Sequence, residues 1–251
     1  QFEFLTHPRT GQRVAEIFPH LARVADRLAI VRSLETDQIN HDPAHTVMNT
    51  GTSISGRPSM GSWVQYGLGS ESRDLPGFVV LTSRGGRDPQ PLSTRQWGAG
   101  FLPGHLQGVE LRSQGALVPY ADLPEGVGTE AQGRVVAARN ALDSLSPLSA
   151  DPDVQARIQQ YELAFRMQQA VPELTDLSRE DDATLGLYGL APEVRGGGDG
   201  SFAYNCLLAR RLLERGVRFV QLYHRGWDHH NDLVRYMKVC AGLTEIGRAH
   251  V

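Results

Sequence analysis

The most chemically suggestive stretch is "FVQLYHRGWDHHND", Phe219 to Asp232, where an apolar run turns at a glycine and gives way to ligand-type side chains. Asp228 and His230 are two positions apart, so in an extended segment their side chains share one side, while that of His229 points elsewhere. A carboxylate and an imidazole on one side form half of a divalent metal site, and zinc favours such ligands. The spacing therefore predicts that Asp228 and His230 are a metal-ligand pair.

A polar loop explains the same residues without a metal. In that interpretation an Asp of the segment caps the helix that follows, because Asp is a preferred residue at helix N-termini. The position of the segment at the end of a buried strand favours a site, since ligands of open α/β sheets bind outside the carboxyl ends of the strands. Both interpretations stay open at this stage.

A second polar group, "NHDPAH", spans residues 40–45 and follows a predicted strand. Pro43 predicts that a helix starts only at about Asp42, so His41 and His45 are not securely on one helical face. If Asn40 and His41 leave a strand parallel to the one before Asp228, both groups face the same crevice.

The helices and strands that must position these two polar groups are predicted from the spacing of apolar residues and from the Gly and Pro residues that interrupt it. We predict an irregular excursion over 84–128 and a loop or hinge at 195–200. The predicted helices are 10–28 broken at Pro19, 42–51, 59–69, 131–145, 151–171 and 201–216, and the predicted strands are 29–34, 77–83 and 217–223. Helix, glycine and a continuously apolar strand indicate an α/β domain whose sheet has helices on both faces.

Composition excludes several classes of protein. The chain has 251 residues, of which 40% are hydrophobic and 21% charged, as is ordinary for a globular protein. A net charge of -3 suggests neither nucleic acid nor an anionic membrane as a partner, and leaves small polar substrates open. Two cysteines are too few for a disulfide framework. No apolar run approaches the roughly 18 residues of a membrane span.

The last seven residues, "EIGRAHV" at 245–251, have an unusual interpretation. The reading frame GAG ATC GGA AGA GCA CAC GTC encodes them, and that DNA resembles a widely used sequencing-library adapter. We therefore expect a partial domain over 1–244 that continues past Thr244 in the natural protein, with an adapter-derived tail over 245–251. The alternative is a natural helix end. The chain also begins at Gln1 rather than Met, so we expect it to be an internal fragment.

Two blocks, residues 40–81 and 206–232, resemble the bacterial family called domain of unknown function 1501, sulfatase-like members of the alkaline phosphatase superfamily. The resemblance implies a mixed sheet flanked by helices, two divalent metals such as zinc or calcium, and a periplasmic or extracellular location. Asp228 and His230 match the family's Trp-Asp-x-His segment, the implied metal ligands. Asn40 and His41 match its Asn-His segment, an implied substrate contact.

The chain also departs from the family pattern. Family members carry an earlier strand with a Gly-Gly-Pro-Ser-like turn and later Gly-Glu-Phe-Gly-Arg and Gly-Arg-Asp-His regions, which this sequence lacks. We expect the nucleophile and the remaining ligands there, so that the fold is incomplete at both ends and the site about half present. Arg57 and Trp63 fall in a matching Gly-Arg-Pro-Ser block, which is consistent with a structural role.

One further motif is weaker. "CLLAR", residues 206–210, has the spacing of the sulfatase formylglycine motif Cys-x-Pro-x-Arg, but Leu208 stands where proline belongs. Because the motif also lies inside an amphipathic helix, we interpret Cys206 as a packed core thiol.

The sequence thus favours part of a metal-dependent hydrolase of sulfate or phosphate esters, acting on a small anionic ester or a sulfated glycan. We expect the partial domain by itself to be inactive. The alternative is a non-catalytic member that binds a glycan or another anionic ligand, because a fold does not determine a function.

Overall fold

The computed structural model describes residues 2–85, 90–112, 114, 117–118, 126–147 and 149–246. The strands are β1 Phe4–Thr6, β2 Arg13–Ala15, β3 Phe78–Arg84, β4 Val109–Leu111 and β5 Phe219–Arg225. The α-helices are α1 Pro19–Arg23, α2 His41–Thr50, α3 Met60–Leu68, α4 Thr129–Ser144, α5 Pro152–Thr175, α6 Asp182–Leu187, α7 Phe202–Glu214 and α8 Leu233–Thr244. Within these ranges no helix has the length and apolar character needed to cross a membrane.

The central feature is a three-stranded parallel sheet in the order β4-β3-β5. Strands β3 and β5 pair over seven residues, from Phe78 opposite Phe219 to Arg84 opposite Arg225. β1 and β2 form a separate antiparallel hairpin. Because the three central strands run in one direction, their carboxyl ends lie at the same edge of the sheet.

Helices cover the sheet on both faces, as the sequence predicts. Val79 and Leu81 of β3 contribute to a large apolar cluster with α5 and α7. Phe78 and Val80 point to the opposite face, where they pack with Trp97 and where α3 lies against β3 and β5. All four β3 side chains are at most 1% exposed. Burial on both faces explains the uninterrupted apolar run of this strand.

A buried arginine ties α7 to the end of α5. The guanidinium of Arg211 donates hydrogen bonds to the backbone carbonyl oxygens of Glu173, Leu174 and Asp176, at 2.8 to 2.9 Å. It also donates to the carboxylate of Glu180 at 2.5 Å. Carbonyl groups at a helix C-terminus have no partner within the helix, so Arg211 satisfies groups that would otherwise be left unpaired.

Most of the helices and strands predicted for residues 41–223 are confirmed within a few residues. Helix α2 ends at Gly51, which has φ of 78° and donates its N–H to Val47, as expected for a glycine at a helix C-terminus. The helices α3, α4, α5 and α7 and the strands β3 and β5 occupy the predicted places. The predicted loop at 195–200 starts in a 3-10 turn, Pro192–Gly196.

The predicted buried strand at 29–34 is wrong. These residues have no regular secondary structure, and the side chains of Ile30, Val31 and Leu34 are 45%, 62% and 77% exposed. An apolar run forms a strand only when a neighbouring strand supplies hydrogen bonds and a packing surface. No strand of the described residues pairs with this segment.

The predicted helix over 10–28 is also wrong in its first half. Residues 13–15 form β2, paired with β1, and the helical part is limited to α1 and a 3-10 turn at Ala25–Arg27. Pro19 occupies the first turn of α1, because proline lacks the N–H that a helix interior requires. The hairpin thus overrides the helical spacing of the apolar residues.

The predicted irregular excursion over 84–128 contains a third strand of the sheet. β4 pairs with β3 from Val79 opposite Val109 to Leu81 opposite Leu111. Two 3-10 turns, Thr94–Trp97 and Gly104–Leu106, also lie in this region. Three residues are too few to show periodicity, so β4 left no pattern that sequence reasoning can recognise. Residues 86–89, 113, 115–116 and 119–125 lie outside the described ranges.

A pair of glycines in α3 tests the packing of this helix on the sheet. A Cβ at Gly61 would lie 2.5 Å from the Phe78 ring and 2.7 Å from that of Phe219, whereas a Cβ at Gly67 meets nothing within 4 Å. We expect Gly61→Ala to lower the free energy of unfolding by about 1 to 3 kcal/mol through overpacking. Gly67→Ala should raise it by about 0.5 kcal/mol, because alanine is the better helix former. Urea denaturation measures both, and equal effects would contradict this packing.

Arg211 supplies a second stability prediction. Arg211→Ala leaves helix-terminal carbonyl groups without a donor, so we expect a loss of about 3 kcal/mol in the free energy of unfolding. The matched control is Arg134→Ala, which removes an exposed ion pair with Glu130 in α4 and should cost at most about 0.5 kcal/mol. Thermal denaturation that cannot distinguish the two variants would refute the role of Arg211.

Candidate functional site

A cleft of about 370 Å³ opens where β5 ends, at the carboxyl edge of the sheet. One helix, the last residues of β5 and two connecting segments form its wall. The lining residues are His41, His45, Gln90, Leu92, Tyr223, His224, Arg225, Gly226, Trp227 and Asp228. Both polar groups predicted from the sequence therefore reach one cleft, at the edge where ligands of parallel sheets bind.

The carboxylate of Asp228 is the centre of the polar cluster. Its Oδ2 lies 2.8 Å from Nε2 of His230 and 3.1 Å from Nε2 of His41. The side-chain amide of Gln90 donates a hydrogen bond to the same oxygen. Asp228 and His230 are thus on one side of the segment, as their spacing predicts.

This environment keeps Asp228 ionised. The hydrogen bond from His230 holds the pKa of the Asp228 carboxyl below its ordinary value, against the opposite effect of desolvation, and His41 acts in the same direction as His230. A carboxylate with this environment is charged at neutral pH and can accept hydrogen bonds or bind a cation.

Helix α2 carries His41 and His45 to the cleft, and a buried polar network holds it there. Asn49 of α2 accepts hydrogen bonds at Oδ1 from the amide of Gln221 and, at 2.7 Å, from the hydroxyl of Tyr223, both on β5. Because Asn49 is only 9% exposed, the network fixes the helix against the strand rather than being replaced by water. The position of His41 thus depends on contacts two turns further along α2.

The loop after β5 carries two further polar side chains, those of His229 and Asp232. His229 turns away from Asp228 and stacks on Tyr236, with ring centroids 5.7 Å apart. The residue at the N-cap of α8 is Asp232, which has φ of 48° and makes no side-chain capping hydrogen bond. Asp228 lies four residues before the cap, so the capping interpretation is wrong for Asp228.

The other residues implied by the family resemblance lie away from the cleft lining. Asn40 is exposed at the N-cap of α2 and makes no side-chain capping bond. Arg57 lies over the ring of Phe101, and Trp63 contacts the same ring edge-on at 5.7 Å between centroids. These contacts join the block containing Arg57 and Trp63 to a neighbouring loop.

Sequence reasoning missed further polar residues of the cleft, among them Gln90 and His224. The strand alternation places His224 on the same face as Val220 and Leu222, next to Ser83 of β3. The alternation is visible in the sequence, whereas the pairing of His224 with Ser83 follows only from the register of β3 and β5. Gln90 lies in the irregular region and had no sequence signal.

The residues of the cluster are of the types that bind divalent metals. Two donor atoms bound to one tetrahedral zinc are separated by about 3.3 Å, given Zn–N and Zn–O bonds of about 2.0 to 2.2 Å. The spacings of 2.8 and 3.1 Å from Asp228 to His230 and His41 are hydrogen-bonding distances and are shorter than this value. Within the described ranges, no group of three or more such side chains converges on one point.

Fold and cleft together define an α/β protein with a parallel sheet and an Asp-His cluster at the carboxyl edge of that sheet. The chain belongs to a protein family of unknown function, DUF1501, which matches residues 1–249. No curated protein matches the chain, and no solved structure matches it either.

Cys206 lies within α7 and is partly buried, as expected for a packed thiol. Burial raises the pKa of the Cys206 thiol to about 11. The reactive thiolate is then scarce at pH 8 and increases only as the pH approaches 11.

We therefore expect iodoacetamide to leave Cys206 unmodified in the native chain at pH 8. The same treatment in denaturant should label it fully, as peptide mass spectrometry can measure. Rapid labelling of native Cys206 would instead indicate an accessible, activated thiol and would contradict the interpretation of Cys206 as a packed core residue.

Proposed function

We propose that this chain is part of a metal-dependent hydrolase of sulfate or phosphate esters, with the sulfatase-like fold of the alkaline phosphatase superfamily. The observation that carries the proposal is that His41 and Asp228 line one cleft at the carboxyl edge of the parallel sheet, where the Asp228 carboxylate also contacts the exposed His230. The residues of the matching Trp-Asp-x-His and Asn-His segments support it. The same resemblance supports a periplasmic or extracellular location.

In this proposal Asp228 and His230 hold a divalent metal, such as zinc or calcium. When bound, the metal stabilises negative charge on the ester oxygens and activates the attacking group. His41 is next to this pair and contacts the substrate or orients the Asp228 carboxylate. Gln90 donates a hydrogen bond to Oδ2 of Asp228, the oxygen that His41 also contacts. Asn40 is at the N-terminus of the same helix and approaches a substrate larger than the cleft. The substrate is a small anionic ester or a sulfated glycan.

Substitutions of Asp228 and His230 test the metal pair in the complete open reading frame that carries this sequence. Asp228→Asn and His230→Ala should each lower bound metal and ester hydrolysis together, because each removes a ligand. His229→Ala should reduce either property by at most about ten- to a hundredfold, the effect of losing a supporting contact. Elemental analysis measures the metal, and nitrophenyl sulfate and nitrophenyl phosphate measure hydrolysis.

Asp232→Asn is the matched control, because it removes a nearby carboxylate that pairs with Arg235, at 3.8 Å, on the protein surface. It should leave metal content and hydrolysis unchanged. Unaltered metal stoichiometry and rate in Asp228→Asn would refute the ligand assignment. Metal-independent binding of a sulfated glycan without hydrolysis would favour the alternative of a non-catalytic binding protein.

A further inference from the structure

Strand β5 has an open outer edge. It lies at the end of the order β4-β3-β5, so β3 pairs with one of its two sides. The N–H of Phe219 donates to the carbonyl oxygen of Gly77 at 2.9 Å, and the two strands stay in register as far as Arg225. Because backbone groups alternate in direction along a strand, those of every second residue point away from β3. These outward residues are Val220, Leu222 and His224, whose backbone groups have no backbone hydrogen-bond partner among the described residues.

Solvent reaches β5 through this outer edge. Residues 78–81 of β3 are at most 1% exposed, whereas the paired residues 219–222 of β5 are all partly exposed. Helices α3 and α7 lie against both strands, so the faces of the sheet do not explain the difference. Proteins protect edge strands by shortness, by Pro or by Lys. The opposite edge strand, β4, has three residues, whereas β5 has seven and contains neither Pro nor Lys.

Residues 29–37 have an extended backbone but belong to no sheet. The chain makes neither a turn nor a sharp bend over 28–39, and residues 29–37 are all exposed. Among the described residues, none of 29–37 has a backbone–backbone hydrogen bond. The apolar side chains of Ile30, Val31 and Leu34 project from this stretch, which has the composition of a strand. Residues 29–34 thus lack only a neighbouring strand.

Both ends of this segment are held within their own chain. The carbonyl oxygen of Leu28 accepts a hydrogen bond from the side-chain amide of Gln12 at 2.9 Å. At the other end, His41 begins α2 and its Nε2 lies 3.1 Å from Oδ2 of Asp228. With both ends in these positions, residues 29–34 do not pair with β5 of the same chain. The β5 edge of a second copy is not restrained in this way and can approach the exposed segment from solvent.

We propose that residues 29–34 of one copy of this chain pair with the outer edge of β5 in a second copy, as a fourth strand of its sheet. Each copy has one such segment and one such edge, so a twofold dimer pairs both edges and stays closed. Strand addition of this kind gains main-chain hydrogen bonds and removes exposed apolar side chains from water. The inference is independent of the proposed hydrolysis, because it involves neither a metal nor an ester.

Light scattering after size-exclusion chromatography, over a range of concentrations, tests for this dimer in the chain of residues 1–251. We expect a monomer–dimer equilibrium. The amides of Val220, Leu222 and His224 should exchange with deuterium about tenfold more slowly, or slower still, in the dimer than after dilution to the monomer. In a mixture of ¹³C-labelled and unlabelled chains, isotope-filtered contacts between residues 29–34 and β5 must join two copies.

Proline substitutions at two neighbouring positions test the strand pairing itself. The N–H groups of successive residues point to opposite sides of a strand, so only one of Ile30→Pro and Val31→Pro removes a donor that faces β5. We expect that variant to weaken the dimer about tenfold or more, and the other to have a smaller effect. Neither should unfold the monomer, because residues 29–37 make no backbone–backbone hydrogen bond within the described part of their own chain.

Asp37→Pro is the matched control, since Asp37 lies in the same exposed stretch but outside the proposed strand. It should leave the dimer unchanged. A monomer at every concentration would overturn the inference, and protected β5 amides in that monomer would mean that residues 29–34 pair within their own chain. A dimer that neither Ile30→Pro nor Val31→Pro weakens would overturn it as well, because another surface would then join the copies.

Discussion

The structure depends on the in-register pairing of β3 with β5. Seven consecutive residue pairs join the two strands, and the amide of Gly85 extends the ladder by one hydrogen bond to Arg225. This register places Ser83 beside His224 and brings the segment containing Asp228 to the edge of the sheet. A slip of one residue would turn every side chain of β5 to the opposite face, so that His224 would leave Ser83. The site is thus a consequence of strand register.

The two ends of the sheet have opposite character. At the amino end, Gly61 lets α3 approach the rings of Phe78 and Phe219, whose centroids are 5.2 Å apart, and side chains fill the space. At the carboxyl end, histidine, carboxylate and amide groups surround an open cleft. Close apolar packing at one end fixes the strands, and this rigidity allows the polar side chains at the other end to keep defined positions.

The sequence predicted the fold where a local pattern and its packing partner coincide. The apolar run at 78–81 became the central strand because β4 and β5 pair with it on either side. The similar run at 29–34 lacks such a partner among the described strands and is exposed, although its pattern is equally strand-like. Periodicity reports which residues could be buried, whereas pairing over long sequence distances decides which are. β4 is the converse case: it has a pairing partner in β3 but is too short to show a local pattern, so the sequence did not predict it.

The candidate site, like the fold, could be predicted only in part from the sequence. His41 and Asp228 share a cleft, but the prediction of a shared crevice depended on a strand before His41, whereas a helix delivers this residue. The Asn49–Gln221–Tyr223 network fixes that helix. A buried polar network stabilises only when every member is satisfied, so it permits one position of α2 and thereby one position of His41. No spacing rule reveals such a constraint, because Asn49 lies more than 170 positions from Gln221 and Tyr223. Among the described residues, Nδ1 of His45 and Nε2 of His224 are buried without a hydrogen-bond partner, so these two atoms are not part of the network that fixes α2.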